Sequence, residues 1–135
     1  QLSDDILAGA KVSGSATRGN KFGPAKVTDG EYDTYWATPD GVISSQLGFE
    51  LKDTKKVNTL LLQEYIPLGQ RVRMFCIEYR DEGGWQSVPT EEVMTTIGYK
   101  RIVRFDTVVT DALRVSINDS RACPCINNIE AFYVE

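Results

Sequence analysis

The residue pattern predicts an all-β domain, two antiparallel sheets packed face to face, and three observations support it. Ser45-Gln-Leu-Gly-Phe-Glu-Leu51 sets Leu47, Phe49 and Leu51 on one face and Gln46, Gly48 and Glu50 on the other. Leu113-Arg-Val-Ser-Ile117 repeats this period of two, the mark of a half-buried strand. Turn-forming residues such as Asp81-Glu-Gly-Gly84 and Asp119-Ser120 separate the apolar segments. No stretch carries a convincing helical period; only Ser3–Ala8, with Ser3 or Asp4 as cap, suggests a single helical turn.

The strands are expected at Ala10–Ala16, Ser45–Leu51, Val57–Glu64, Val72–Arg80, Trp85–Val88, Lys100–Phe105, Leu113–Ile117 and Ile129–Val134. Each is β-branched and aromatic in content: Val72–Arg80 holds Val72, Phe75, Ile77 and Tyr79, and Lys100–Phe105 holds Ile102, Val103 and Phe105. About eight short strands in one domain make a sandwich or jelly roll.

The 135 residues suffice for one domain, 1–135, with a core that needs no disulfide. A net charge of −4 with no basic block excludes a nucleic-acid footprint. No apolar run approaches the roughly 20 residues that span a bilayer. Gln1 is not an initiator residue, so the chain is expected to be processed or cut from something longer. Histidine is absent, which removes the commonest general base and transition-metal ligand and any Ser-His-Asp or Cys-His site within this chain. Three cysteines, two of them in Cys123-Pro-Cys125, match neither a zinc nor a C-x-x-C redox pattern and are read as structural.

Ala25-Lys-Val-Thr-Asp-Gly-Glu-Tyr-Asp-Thr-Tyr-Trp36 packs the short oxygen donors Thr28, Asp29, Asp33 and Thr34 around a glycine. Such a loop suits a hard cation that takes six to eight oxygens at about 2.3–2.6 Å. It equally suits an ordinary surface turn, since Asp-Gly is a common turn dipeptide.

The pattern Asp29-Gly30-x-x-x-Thr34-x-Trp36 resembles the signature of discoidin domains, also called coagulation factor V/VIII type C domains, whose bacterial relatives are the family 32 carbohydrate-binding modules. Leu60-Leu-Leu-Gln-Glu-Tyr65, the Phe75-to-Trp85 strand and turn, and Ile126-Asn-Asn-Ile-Glu-Ala-Phe132 follow in the expected order, so the resemblance runs from Ile6 to Val134. Leu62-Gln-Glu-Tyr-Ile-Pro-Leu-Gly-Gln-Arg-Val72 is similar to the C-terminal module of bacterial and plant alpha-L-fucosidases.

This resemblance implies an eight-stranded antiparallel jelly roll with Trp36 packed inside it. It implies a structural calcium ion held by the Asp29 carboxylate, the Thr34 hydroxyl and carbonyl, and the carbonyls of Lys26 and Glu31. The closing pair, usually a small residue then Glu, is here Asn127 and Asn128. An amide brings no charge, so a weak site is expected. The ligand end is the loop end of the sandwich. Galactose-binding relatives place a His after the loop tryptophan and an Arg in the loop after Val57–Glu64, where this chain has Ala37 and Leu68. The available replacements are Arg18, Asp40, Tyr65, Gln70, Arg71 and Arg121.

The expected function is a non-catalytic carbohydrate-binding module that brings an attached glycosidase, of the alpha-L-fucosidase kind, to terminal sugars of glycans. The alternative is a structural β-sandwich supporting the catalytic domain without a ligand of its own. Polar loops and an acidic chain argue against a membrane-adhesion module. A monomeric module, periplasmic or extracellular, without nucleic-acid or membrane partners, completes the expectation.

Overall fold

The structure, a computed structural model, describes residues 3–135; Gln1, read above as a non-initiator, lies outside them. Its strands are β1 (Lys11–Gly14), β2 (Trp36–Ala37), β3 (Ser45–Glu64), β4 (Val72–Asp81), β5 (Gly84–Ser87), β6 (Arg101–Ser120) and β7 (Cys125–Phe132). Short 3-10 turns lie at Asn20–Phe22, Pro24–Thr28 and Ile66–Leu68. Every strand pairing is antiparallel, in the order β2-β7-β3-β6-β4-β5 with β1 beside β3.

Two strands of 20 residues give the molecule its shape. β3 pairs with β6 twice: Ser45–Glu50 faces Ala112–Ile117, and Lys55–Leu62 faces Arg101–Thr110, with a register shift between Glu50 and Lys55. Lys52-Asp-Thr-Lys-Lys56 is exposed throughout. Five polar side chains in a row have no use for a core, so the strand crosses there from one layer to the other, as strands do at bulges and bends. One layer holds β1, the first half of β3, the second half of β6, β4 and β5. The other holds the first half of β6, the second half of β3, β7 and β2.

The inner faces of the two layers form one core. Leu47 and Phe49 from the first half of β3 and Leu60 and Leu62 from the second are fully buried, as are Ile77, Leu113 and Ile126. Trp36 is fully buried as expected, and its Nε1 donates to the Ala16 carbonyl at 3.0 Å. That bond removes the cost of burying an indole N–H.

The all-β, antiparallel, sandwich-like fold is the one expected; among the described residues seven strands, rather than eight, pair as one continuous sheet that folds over into the two layers. Ser45–Leu51 and Val57–Glu64 are the two ends of β3, and Lys100–Phe105 and Leu113–Ile117 both belong to β6. β2 was not foreseen, because two residues are too few to show a period. Ser3–Ala8 forms no helix; a turn spans Ile6–Gly9, and its tie is Asp5: Oδ1 accepts the Leu7 and Ala131 N–H groups, both at 3.0 Å. Ser3 instead bonds across to Tyr133, its N–H donating to the Tyr133 carbonyl at 3.1 Å.

Candidate functional site

The organising residue of the loop end is Glu64, the last residue of β3, which is 2% exposed. Its Oε1 accepts the N–H groups of Arg71 (2.8 Å) and Val72 (3.0 Å), and its Oε2 accepts that of Gly98 (2.7 Å). A buried carboxylate is costly unless its lone pairs are used. Here they fix both ends of the Tyr65–Arg71 loop, and Tyr65 N–H donates to the Cys125 carbonyl at 2.9 Å.

Arg71 follows from that anchor. Its Nη1 donates to the Cys123 carbonyl at 2.8 Å and lies 3.3 Å from the Cys123 sulfur. Its own carbonyl accepts the Arg121 N–H at 2.8 Å, bringing the loop before β7 alongside. Arg18 arrives from the first loop: Nε donates to the Thr38 carbonyl at 3.1 Å, and Nη2 reaches the Cys123 sulfur at 3.2 Å and pairs with Asp40. Hydrogen bonding from Arg18 holds the Asp40 carboxyl below the usual carboxylate range.

Together these residues wall a cleft of about 640 Å³ lined by Arg18, Tyr35, Asp40, Leu68, Arg71 and Arg121, among others. Cys123 and Cys125 also line it, both buried, and the described cysteines are all free thiols. Burial pushes the Cys125 thiol up to about 11, so it stays protonated at neutral pH. Tyr35 stacks on Tyr65 with centroids 4.3 Å apart at 21°, and Phe22 lies 5.1 Å from Tyr35.

Of the residues singled out from sequence, the structure brings Arg18, Asp40, Arg71 and Arg121 together. Tyr65 does not line the cleft; it backs Tyr35. Gln70 turns away, its Nε2 donating to the Val72 carbonyl at 2.6 Å. Ala37 and Leu68 do sit in the cleft, where the galactose-binding His and Arg were expected to be missing. Sequence reasoning overlooked Tyr35 and Phe22. The signal for Tyr35 was there: with Trp36 inward, its neighbour points outward.

The loop read as a cation site is held by its own oxygens. Asp29 Oδ1 accepts the Glu31 N–H at 2.9 Å, Oδ2 accepts the Thr34 hydroxyl, and that hydroxyl lies 3.4 Å from the Glu31 carbonyl. Asn127 Nδ2 donates to the Tyr32 carbonyl at 3.0 Å, while its Oδ1 is buried without a partner among the described residues. Asn128 faces elsewhere, donating to Gln63 (2.8 Å) and Glu130 (2.6 Å). The Lys26 N–H donates to the Gly23 carbonyl at 3.1 Å within the turn that leads into this loop. Among the described residues no three acidic or thiol side chains converge. The loop offers oxygens, the Asp29 carboxylate among them, and the unpartnered Asn127 oxygen is chemically suited to a small hard cation.

Comparison with known proteins gives the class. Residues 10–130 match the model of the F5/8 type C domain, and the chain belongs to that family. Its relatives include alpha-L-fucosidases. Alpha-L-fucosidase 1 of Arabidopsis thaliana is 34% identical over 132 residues, covering 93% of this chain and 26% of the relative. A Bacteroides thetaiotaomicron crystal structure, provisionally named an alpha-L-fucosidase, is 35% identical with a TM-score of 0.90, covering 95% of this chain and 28% of that one. A chitosan-binding module from a Paenibacillus chitosanase/glucanase shares the fold, with a TM-score of 0.82 at 18% identity over 96% of this chain and 98% of that one. The chain thus spans about a quarter of the length of the fucosidases it matches and is a non-catalytic F5/8 type C module.

Proposed function

We propose that this module binds terminal sugars of glycans in the cleft between Arg18, Arg71 and Arg121, and so holds an attached glycosidase of the alpha-L-fucosidase kind near its substrate. The observation that carries this reading is polarity along β7. Cys125, its first residue, lines the cleft, whereas Tyr133, just beyond its end, is bonded to Ser3. Eight residues of strand put roughly 25 Å between the cleft and the Ser3–Tyr133 contact. A catalytic domain joined at either end leaves the cleft facing outward. The gain is effective concentration rather than new chemistry. Glycan targets of this kind belong to a periplasmic or extracellular, monomeric module.

Glycan-array screening at high protein concentration tests it. Binding to sugar termini that Arg121→Ala weakens, with unchanged melting temperature, is the expected outcome. Silence across the array favours the second reading, a structural support for the catalytic domain, for which Ala37 and Leu68 in the usual sugar-contact positions speak. We also infer a weak calcium site in which Asp29, Thr34 and Glu31 meet Asn127. Calcium there would screen the oxygens of the loop and tie it to β7.

A further inference from the structure

The charge in the cleft points to a particular class of sugar. Three arginines, Arg18, Arg71 and Arg121, face one carboxylate, Asp40, in a chain whose net charge is −4. Asp40 is committed to Arg18. Arg71 and Arg121 have no ion-pair partner among the described residues. Elsewhere three half-buried arginines are paired, Arg80 with Glu50 and Asp111, Arg101 with Glu92 and Arg114 with Glu78; the exposed Arg73 and Arg104 also lack an ion pair among the described residues, but neither lines this cleft.

Hydrogen-bonding capacity is equally one-sided. Guanidinium groups donate and never accept, so the acceptors among the charged side chains reduce to Asp40. Each hydroxyl of a neutral sugar brings a donor that needs an acceptor. A carboxylate or sulfate brings acceptors only and matches the arginine fork. The concave wall focuses the positive field at this place, and Phe22 and Tyr35 add aromatic surface to the same wall.

We propose that the cleft selects glycans bearing an anionic group, a uronate carboxylate or a sulfate ester, with Arg71 and Arg121 as its receptors and Asp40 as a competitor for Arg18. This rests on the reading of the cleft as glycan-binding. Titration of the full chain with an oligogalacturonate, a sulfated galacto-oligosaccharide and a neutral galacto-oligosaccharide tests it. At least one anionic ligand is expected to bind about tenfold tighter than the neutral one, and to weaken as salt shortens the Debye length; which anionic arm responds identifies the group. Arg121→Ala should lower anionic binding several-fold. Asp40→Asn, which frees Arg18 at an exposed position, should raise it about threefold. Neutral binding equal to or tighter than anionic, or weaker anionic binding in Asp40→Asn, would overturn anion selection while glycan binding stood. No binding to any of these or to a neutral fucosylated oligosaccharide would remove both proposals.

Discussion

Glu64 shows how much one side chain settles at the loop end. It is a charged residue at the end of an apolar strand, yet it is almost without solvent and satisfies three backbone donors. Truncating it strands those donors, each worth about 1–3 kcal/mol when left unpaired. Glu64→Ala is therefore expected to cost about 3 kcal/mol in urea unfolding and to loosen Arg71. Its part was not legible in the sequence, since a glutamate after Leu60-Leu-Leu-Gln reads as the polar end of a strand. The arginines were legible as loop cations. The meeting of Arg18 and Arg71 at Cys123 was not, because it depends on loops far apart in sequence coming together at one sulfur and one backbone carbonyl, which leave no mark on residue type.

At the scale of elements, β4 and β6 are joined by a cross-strand pair on the layer that carries Trp85. Glu78 lies opposite Arg114 in register, and its Oε1 and Oε2 accept from Nε at 2.9 Å and Nη2 at 3.0 Å. Ser116 Oγ also donates to Oε1, at 2.9 Å, and the guanidinium sits 4.3 Å from the Trp85 ring centroid. The Arg114 hydrogen bonds hold the Glu78 carboxyl below its ordinary value. A lowered folded pKa means stability that is present above the unfolded glutamate value, about 4.3, and is lost as pH falls through the folded value. Glu78→Gln should therefore cost about 1 kcal/mol at neutral pH and less in acid, as read from denaturant midpoints across pH. The alternation that located these strands was plain in the sequence. What periodicity could not reveal was that four expected segments are the halves of two strands, because an exposed Lys52-Asp-Thr-Lys-Lys56 reads as a loop.

For the molecule as a whole, the first loop and last strand meet through Asn127 and the Tyr32 carbonyl. If calcium binds there, its effect is on global stability: melting temperature should rise with calcium and fall back in chelator. Asn127→Asp, which adds a charge on the β7 side of that contact, should enlarge that rise; an identical melting temperature with and without the ion in both proteins would count against the site.

The doubled pairing of β3 with β6 has a consequence for how the domain forms and fails. Each layer has pairings of its own, but in both they hang on β3 and β6, the two strands that run through both layers. Peeling the sheets apart means breaking the same two-strand seam at both ends, so melting should be all-or-none rather than layer by layer. Assembly carries the mirror-image cost. β3 and β6 are far apart along the chain, and the loop between them must close before either layer is rewarded, which belongs to the slow, high-contact-order route of folding.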